Sequence, residues 1–482
     1  MKGAYAWEAF KKTTLFHEEA LARMYPFFEK AEYPVIYVVN SMGWNRGGQT
    51  LFYADHEIIP IDKVVSITDL ATGKSAPLQI QEKRGDGAFW TLEVDDVPTM
   101  GYKAYKIEVL DKNGTSEPQI NTEVLENRFY KIEIDKATGA VTSLFDKELK
   151  QELVDNKNPY KLGQLIRETS EKRDIPPFIH TTVGNVKIES SANGPVWESI
   201  RVTADLDGFK GDEDDPEGID AEIRLYKNVK KIEFRFKANK LILTDPEALY
   251  VAFPFTLLDS RIVFETIGGT LTPGQQLPGS ASDWNVAQNF VSVRGKTGQI
   301  IVVSNEVPLW QFCDFNMGKF ERNFRPTNTW LYSWVMNNYW FTNFRAYQEG
   351  AFSWSYQLTS TSDTTNTYAT KYAWGERNPF AVRAFTEGSG ELKNTVTETL
   401  KISGSSNVLL VNSRPAFKNQ KAILLHFREL EGMSAEVKLE SKIPGLTIKE
   451  IREVNVAGDK VGLSVQSITL KPYESKFIEV DF

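Results

Sequence analysis

The sequence predicts a mainly β protein: one amphipathic helix at the start, then strands arranged as a small sandwich, a large sandwich and a C-terminal sandwich. Three observations predict it. Apolar residues recur at steps of three and four only between Ala4 and Tyr25. From Pro34 onward the recurrence falls to two, and Gly, Pro, Asn and Asp clusters punctuate the runs. A length of 482 residues gives room for about three domains.

The opening helix sets Trp7, Phe10, Thr14, His17, Leu21 and Met24 on one stripe, and Pro26 and Pro34 end it. A single helix cannot bury its own stripe, so residues 1–33 are expected to dock on a later part of the chain or on a neighbour outside it. On such a stripe His17 is expected to be a core histidine. Next, Val35 to Val39 reads as a strand, Asn45 to Gly48 as a turn, and Leu51, Tyr53 and Ile59 to Ile61 as extended chain. Turn residues from Asp111 to Gly114, with Pro118 just beyond, close the small sandwich over residues 34–118.

A hairpin opens the large sandwich, residues 119–389. Tyr130, Ile132 and Ile134 alternate with charged residues, Lys136 to Gly139 turns, and Val141, Ser143 and Phe145 return. Alternating runs follow at Val183 to Ile188, Ser199 to Leu206, Ala221 to Tyr226, Lys231 to Phe236 and Tyr250 to Phe255, with no helical period between them. Glycine and serine then mark a boundary, and residues 390–482 read as a C-terminal sandwich.

Composition removes several functions. A net charge of −8 argues against a phosphate-backbone ligand. Cys313 is the only cysteine, so neither a disulfide framework nor a cysteine-rich zinc module is expected. Glu8, Lys11 and Lys12 interrupt any signal-peptide core, and no apolar run approaches the roughly 20 residues of a membrane span. The chain reads as soluble, without a nucleic-acid or membrane partner; its compartment stays open.

Aromatic residues concentrate between Trp310 and Tyr356, where 16 fall in 47 positions against about six for a uniform spread. In their midst Asn337, Asn338, Tyr339, Trp340 and Asn343 mix amides with aromatic faces. Such a mixture suits sugars, whose C–H faces stack on rings while hydroxyls bond to amides; a packed core explains it equally well. The Gly/Pro-rich stretch from Glu265 to Trp284 is a second candidate, offering Glu265, Asp283 and Trp284 on a long loop. Glu265 and Asp283 could serve as acid and nucleophile across a glycosidic bond, although such spacing is commonplace. The acidic residues from Asp205 to Asp220 lack an EF-hand pattern and read as a solvated hairpin loop rather than a calcium site. His17, His56, His180 and His426 lie far apart, with no metal-ligand spacing. His180 has no evident partner in the sequence, so an epimerase, which needs a histidine beside a carboxylate, is disfavoured.

Several blocks carry a family resemblance. Val38-Val39-Asn40-Ser41-Met42-Gly43-Trp44-Asn45-Arg46 is similar to the "FNPLSWxR" strand of glycoside hydrolase family 38, the retaining α-mannosidases. Leu125 to Tyr130, continued by Thr138 to Lys147, resembles the hairpin that starts that family's large sandwich and is the most specific block. His426 to Glu431 and Leu470 to Lys476 resemble its closing strands. The resemblance spans nearly the whole chain but only the later, non-barrel part of the family.

That resemblance implies a large sandwich of the galactose mutarotase type whose loops lean over a mannoside site. It also implies that the zinc ion and the attacking aspartate belong to a catalytic barrel not represented here, that the opening helix is the end of a helical bundle, and that Met1 stands in mid-protein. No catalytic residue, metal ligand or cofactor is therefore expected in this chain. The carbohydrate contacts would come from Glu265, Asp283, Trp284, Asn337, Asn338, Tyr339, Trp340 and Asn343. Mannose-containing glycans are the expected partners, with a separately encoded barrel or self-association through the helix as further ones. Two alternatives stay open: an autonomous glycosidase using Glu265 and Asp283, and an inactive truncated product.

Overall fold

A computed structural model describes residues 2–113, 119–172, 175–211, 218–277, 279–340 and 347–482. They form two compact units, one from residues 1–116 and 379–482, the other from 117–378. The architecture is mainly β, as the period of two predicts.

In the first unit a five-stranded sheet built on Val35–Asn40 and Gly101–Asn113 faces a three-stranded sheet of Arg46–Asp55, Gly87–Val97 and Leu78–Lys83. Ile36, Val38, Trp90, Leu92 and Tyr105 fill the space between them. Two local expectations fail here. Asn45 to Gly48 is no turn: Arg46 to Gly48 belong to a strand, opposite a bulge whose extra residue lies on the partner between Val94 and Val97, where Asp96 has a φ of +44°. Ile59 to Ile61 is not extended either. Asp55 accepts the N–H groups of Glu57 and Ile58, both at 3.0 Å, and the resulting turn buries Ile59.

The strand Ala381–Phe385 pairs with Val35–Asn40, and Val396–Glu398 pairs with Gly101–Asn113. Residues 379–389 thus lie with the first unit, not with the large sandwich. Its last part is a separate two-sheet layer, three strands facing five, around Leu425, Phe427, Val437, Ile468 and Val480.

The helix Lys2–Ala22 buries little. Leu21 joins Phe28, Tyr37 and Tyr102 in a small cluster on the outer side of the five-stranded sheet, whereas Tyr5, Trp7, Phe10, Leu15 and Phe16 are exposed. His17 is exposed as well, 3.6 Å from Glu18, so it is not a core residue.

The second unit is the large sandwich, a nine-stranded sheet packed on a six-stranded one. The hairpin of Tyr130–Ile134 and Val141–Asp146 forms as expected. Its turn needs Gly139, whose φ is +68° and whose added Cβ would lie 2.2 Å from Val202. Family-like positions are structural locks. Asn127 accepts from the backbone of Phe129 and Tyr130 and donates to Tyr226, while buried Asp146 holds Lys230 at 2.8 Å. The helix Asn366–Arg377 has no counterpart in the sequence reading. Thr365 caps it by accepting from Tyr368 N–H, and Ala369 and Ala373 bury against Phe290, Ile301 and Val303. Tyr368 and Tyr372 and a glycine make its pattern faint.

Candidate functional site

The six-stranded sheet runs Ile175–Thr182, Leu165–Lys172, Glu247–Pro254, Trp330–Asn337, Leu309–Phe312 and Asn285–Val286. Period two splits it into two faces. Leu165, Leu249, Val251, Phe253 and Leu331 enter the core shared with the nine-stranded sheet. Register places Ile166, Glu168, His180, Ala248, Tyr250, Tyr332 and Trp334 on the other face.

A buried carboxylate organises that second face. Glu168 Oε1 accepts from Tyr339 Oη at 2.5 Å and from Tyr250 Oη at 3.1 Å, and Oε2 lies 2.6 Å from His180 Nε2. Gln311 donates to the Tyr250 oxygen at 3.0 Å. Burial, then the charge of Glu168, pushes both phenols well above the ordinary tyrosine range, so they remain O–H donors at neutral pH. His180 stacks on Phe315 with ring centroids 4.2 Å apart, and its side chain is 23% exposed.

Beside Tyr339 the chain gathers three tryptophans. Trp334 is buried; Trp340 lies 5.7 Å and Trp284 5.7 Å from it, and the latter two are 5.4 Å apart in a T-shaped pair. Trp284 is 37% and Trp340 41% exposed, so each indole leaves part of its surface open.

The other sequence candidates scatter. Glu265 is buried in the nine-stranded sheet, where it accepts from Asn289 at 2.8 Å and from the Trp374 indole at 3.3 Å. Asp283 is buried too, and its two oxygens accept the backbone N–H groups of Phe320 and Glu321, each at 2.9 Å. Both carboxylates are buried and held by separate sets of donors, so neither presents an open face to a glycosidic bond. Asn338 spends its amide on the backbone of Leu243, Asp245 and Glu247, and Asn337 lines a pocket with Arg167, Glu247 and Gln348. Asn343 lies outside the described residues, as do positions 212–217 of the acidic stretch. Of the 14 described aromatic residues between Trp310 and Tyr356 eight are buried, among them Trp310, Phe312, Tyr332, Trp354 and Tyr356.

His180 does have a partner, contrary to the sequence reading. A signal existed: Glu168 and His180 are equidistant from residue 174, so recognising the two runs as one hairpin would have set them opposite each other. Among the described residues no group of three or more His, Cys, Asp or Glu side chains is placed to hold a metal ion. No described helix is long and apolar enough to cross a membrane.

Comparison with known proteins bears on the fold. Residues 125–305 match the glycosyl hydrolases family 38 C-terminal domain, and residues 414–474 match the family 38 C-terminal beta sandwich domain. An alpha-mannosidase from Enterococcus faecalis V583 superposes over 97% of this chain with a TM-score of 0.71 at 13% identity. A protein in glycosyl hydrolase family 38 from Enterococcus faecalis superposes over 94% with a TM-score of 0.68, also at 13% identity. The chain spans 58% of the length of each. Comparison with curated protein sequences finds no match.

Proposed function

We propose that this chain, which carries the C-terminal β-domains of glycosyl hydrolase family 38, is the glycan-contacting part of an α-mannosidase and binds mannose-containing glycans at Trp284 and Trp340. The observation that carries the reading is the pair of half-open indoles, 5.4 Å apart and seated on buried Trp334. Pyranose C–H faces stack on such surfaces.

This reading assigns hydrolysis itself to groups outside these 482 residues. Among the described residues the side chains do not fit a zinc site. Glu265 and Asp283 are each buried and held by hydrogen bonds, which supports a structural role for them over an autonomous glycosidase pair.

Calorimetric titration with methyl α-mannoside and short α-mannosides tests the reading. Binding in the millimolar range is expected, and Trp340→Ala or Trp284→Ala should remove about 1 kcal/mol of it. Equal binding by wild type and both variants, or none by the wild type, would sink it.

A further inference from the structure

The Glu168 and His180 pair is more than packing requires. A wholly buried carboxylate stabilises a fold no better than a well-packed apolar side chain would, yet this one takes hydrogen bonds from three elements. Their joint effect is to fix an imidazole. Nε2 is held at 2.6 Å by Glu168 and the ring plane lies against Phe315, with Tyr160 at its edge, centroids 6.4 Å apart. Nδ1 makes no hydrogen bond to any described residue, and the ring stays partly exposed.

Glu168 as acceptor places the proton of a neutral imidazole on Nε2, which leaves Nδ1 as a fixed acceptor. A base held by a buried carboxylate with its second nitrogen free is built to meet a hydroxyl.

We propose that His180 Nδ1 is the hydrogen-bonding pole of a second saccharide position on this face, so that the ligand is an oligosaccharide rather than a single mannose. The proposal rests on the tryptophan reading for its ligand class. The strands of His180 and Trp334 are three steps apart in the sheet, about 14 Å at roughly 4.8 Å per step. A ring stacked on indoles seated at Trp334 falls short of that strand separation, which a short chain of rings spans.

The test uses the full chain with 15N-labelled histidine and tryptophan side chains. The free protein should show His180 as the Nε2–H tautomer. Methyl α-mannoside should move only the indole signals of Trp284 and Trp340, whereas an α-linked mannotriose should also move His180 Nδ1. His180→Ala should weaken the trisaccharide about tenfold and leave the monosaccharide unchanged. His180→Asn, which keeps a donor for Glu168, guards against a folding defect and should weaken the trisaccharide likewise.

If the trisaccharide moves the indoles but not His180, or both variants bind it as wild type does, the His180 position is wrong and the tryptophan platform stands. If His180 responds and the indoles do not, the platform falls and the imidazole position survives. Silence from both removes both.

Discussion

Tyr339 donates its hydroxyl to Glu168 across 171 positions of sequence, and this 2.5 Å bond fastens the segment after Trp330–Asn337 to the neighbouring sheet strands. Trp340 follows directly. The placement of a half-open indole is therefore coupled to a carboxylate two strands away.

Replacing that hydroxyl measures the coupling. Tyr339→Phe should cost about 1.5–3 kcal/mol, the range for a hydrogen bond to a charged acceptor. Urea unfolding gives the cost, and a red shift in tryptophan fluorescence would report a loosened Trp340. No change in either would mean that the bond contributes nothing to the site.

Glu265 and Asp283 separate structure from binding. Asp283→Ala should destabilise the chain by about 1–3 kcal/mol, because the N–H groups of Phe320 and Glu321 lose their acceptor. Glu265→Gln should leave mannoside affinity unchanged. A fall in affinity with unaltered thermal stability would return Glu265 to the list of sugar contacts.

Acid sensitivity should centre on Glu429 in the C-terminal sandwich. Burial alone would raise its pKa, but N–H donors from Tyr473, Glu431 and Gly432 and the Asn407 amide outweigh burial and lower it. A depressed folded pKa contributes stability that is fully present above the unfolded value, about 4.3, and is lost as pH falls through the folded value. Glu429→Gln should therefore cost about 1.5–3 kcal/mol at pH 7, and the gap to wild type should narrow below pH 4. A gap constant from pH 7 to pH 3 would contradict this.

The opening helix offers a deletion with a defined limit. Leu21, Phe28 and Ala31 are buried beside Val35 and Tyr37, so removal through residue 31 would open a cluster. Removal through residue 16 takes away exposed Tyr5, Trp7, Phe10, Leu15 and Phe16. The shorter deletion should cost under about 1 kcal/mol and reduce self-association in sedimentation experiments. A large loss of stability would mean that the exposed face is packed in solution.

Period and punctuation determined the elements. Period two over Tyr130–Ile134 and Trp197–Asp205 was readable because each strand has one apolar face, whereas Glu247–Pro254 is buried at every position and reads as a continuous apolar run; Gly139 was readable because only glycine fits its turn. Asn127 and Asp146 were legible as family-like positions because their bonds lock local backbone, which ties their identity to nearby sequence.

Tertiary structure decided what faces what. Composition could not tell Trp334, wholly buried, from Trp340, half open six residues later, because burial depends on which loop crosses the sheet. Glu265 and Asp283 share a loop in sequence but reach separate partners, since a carboxylate in a dry interior goes to the nearest donors. Glu168, His180, Tyr250 and Tyr339 meet only because four separate segments place them on one face. Glu168 and His180 face each other within one hairpin, but Tyr250 and Tyr339 join them only through long-range register, which no local pattern encodes.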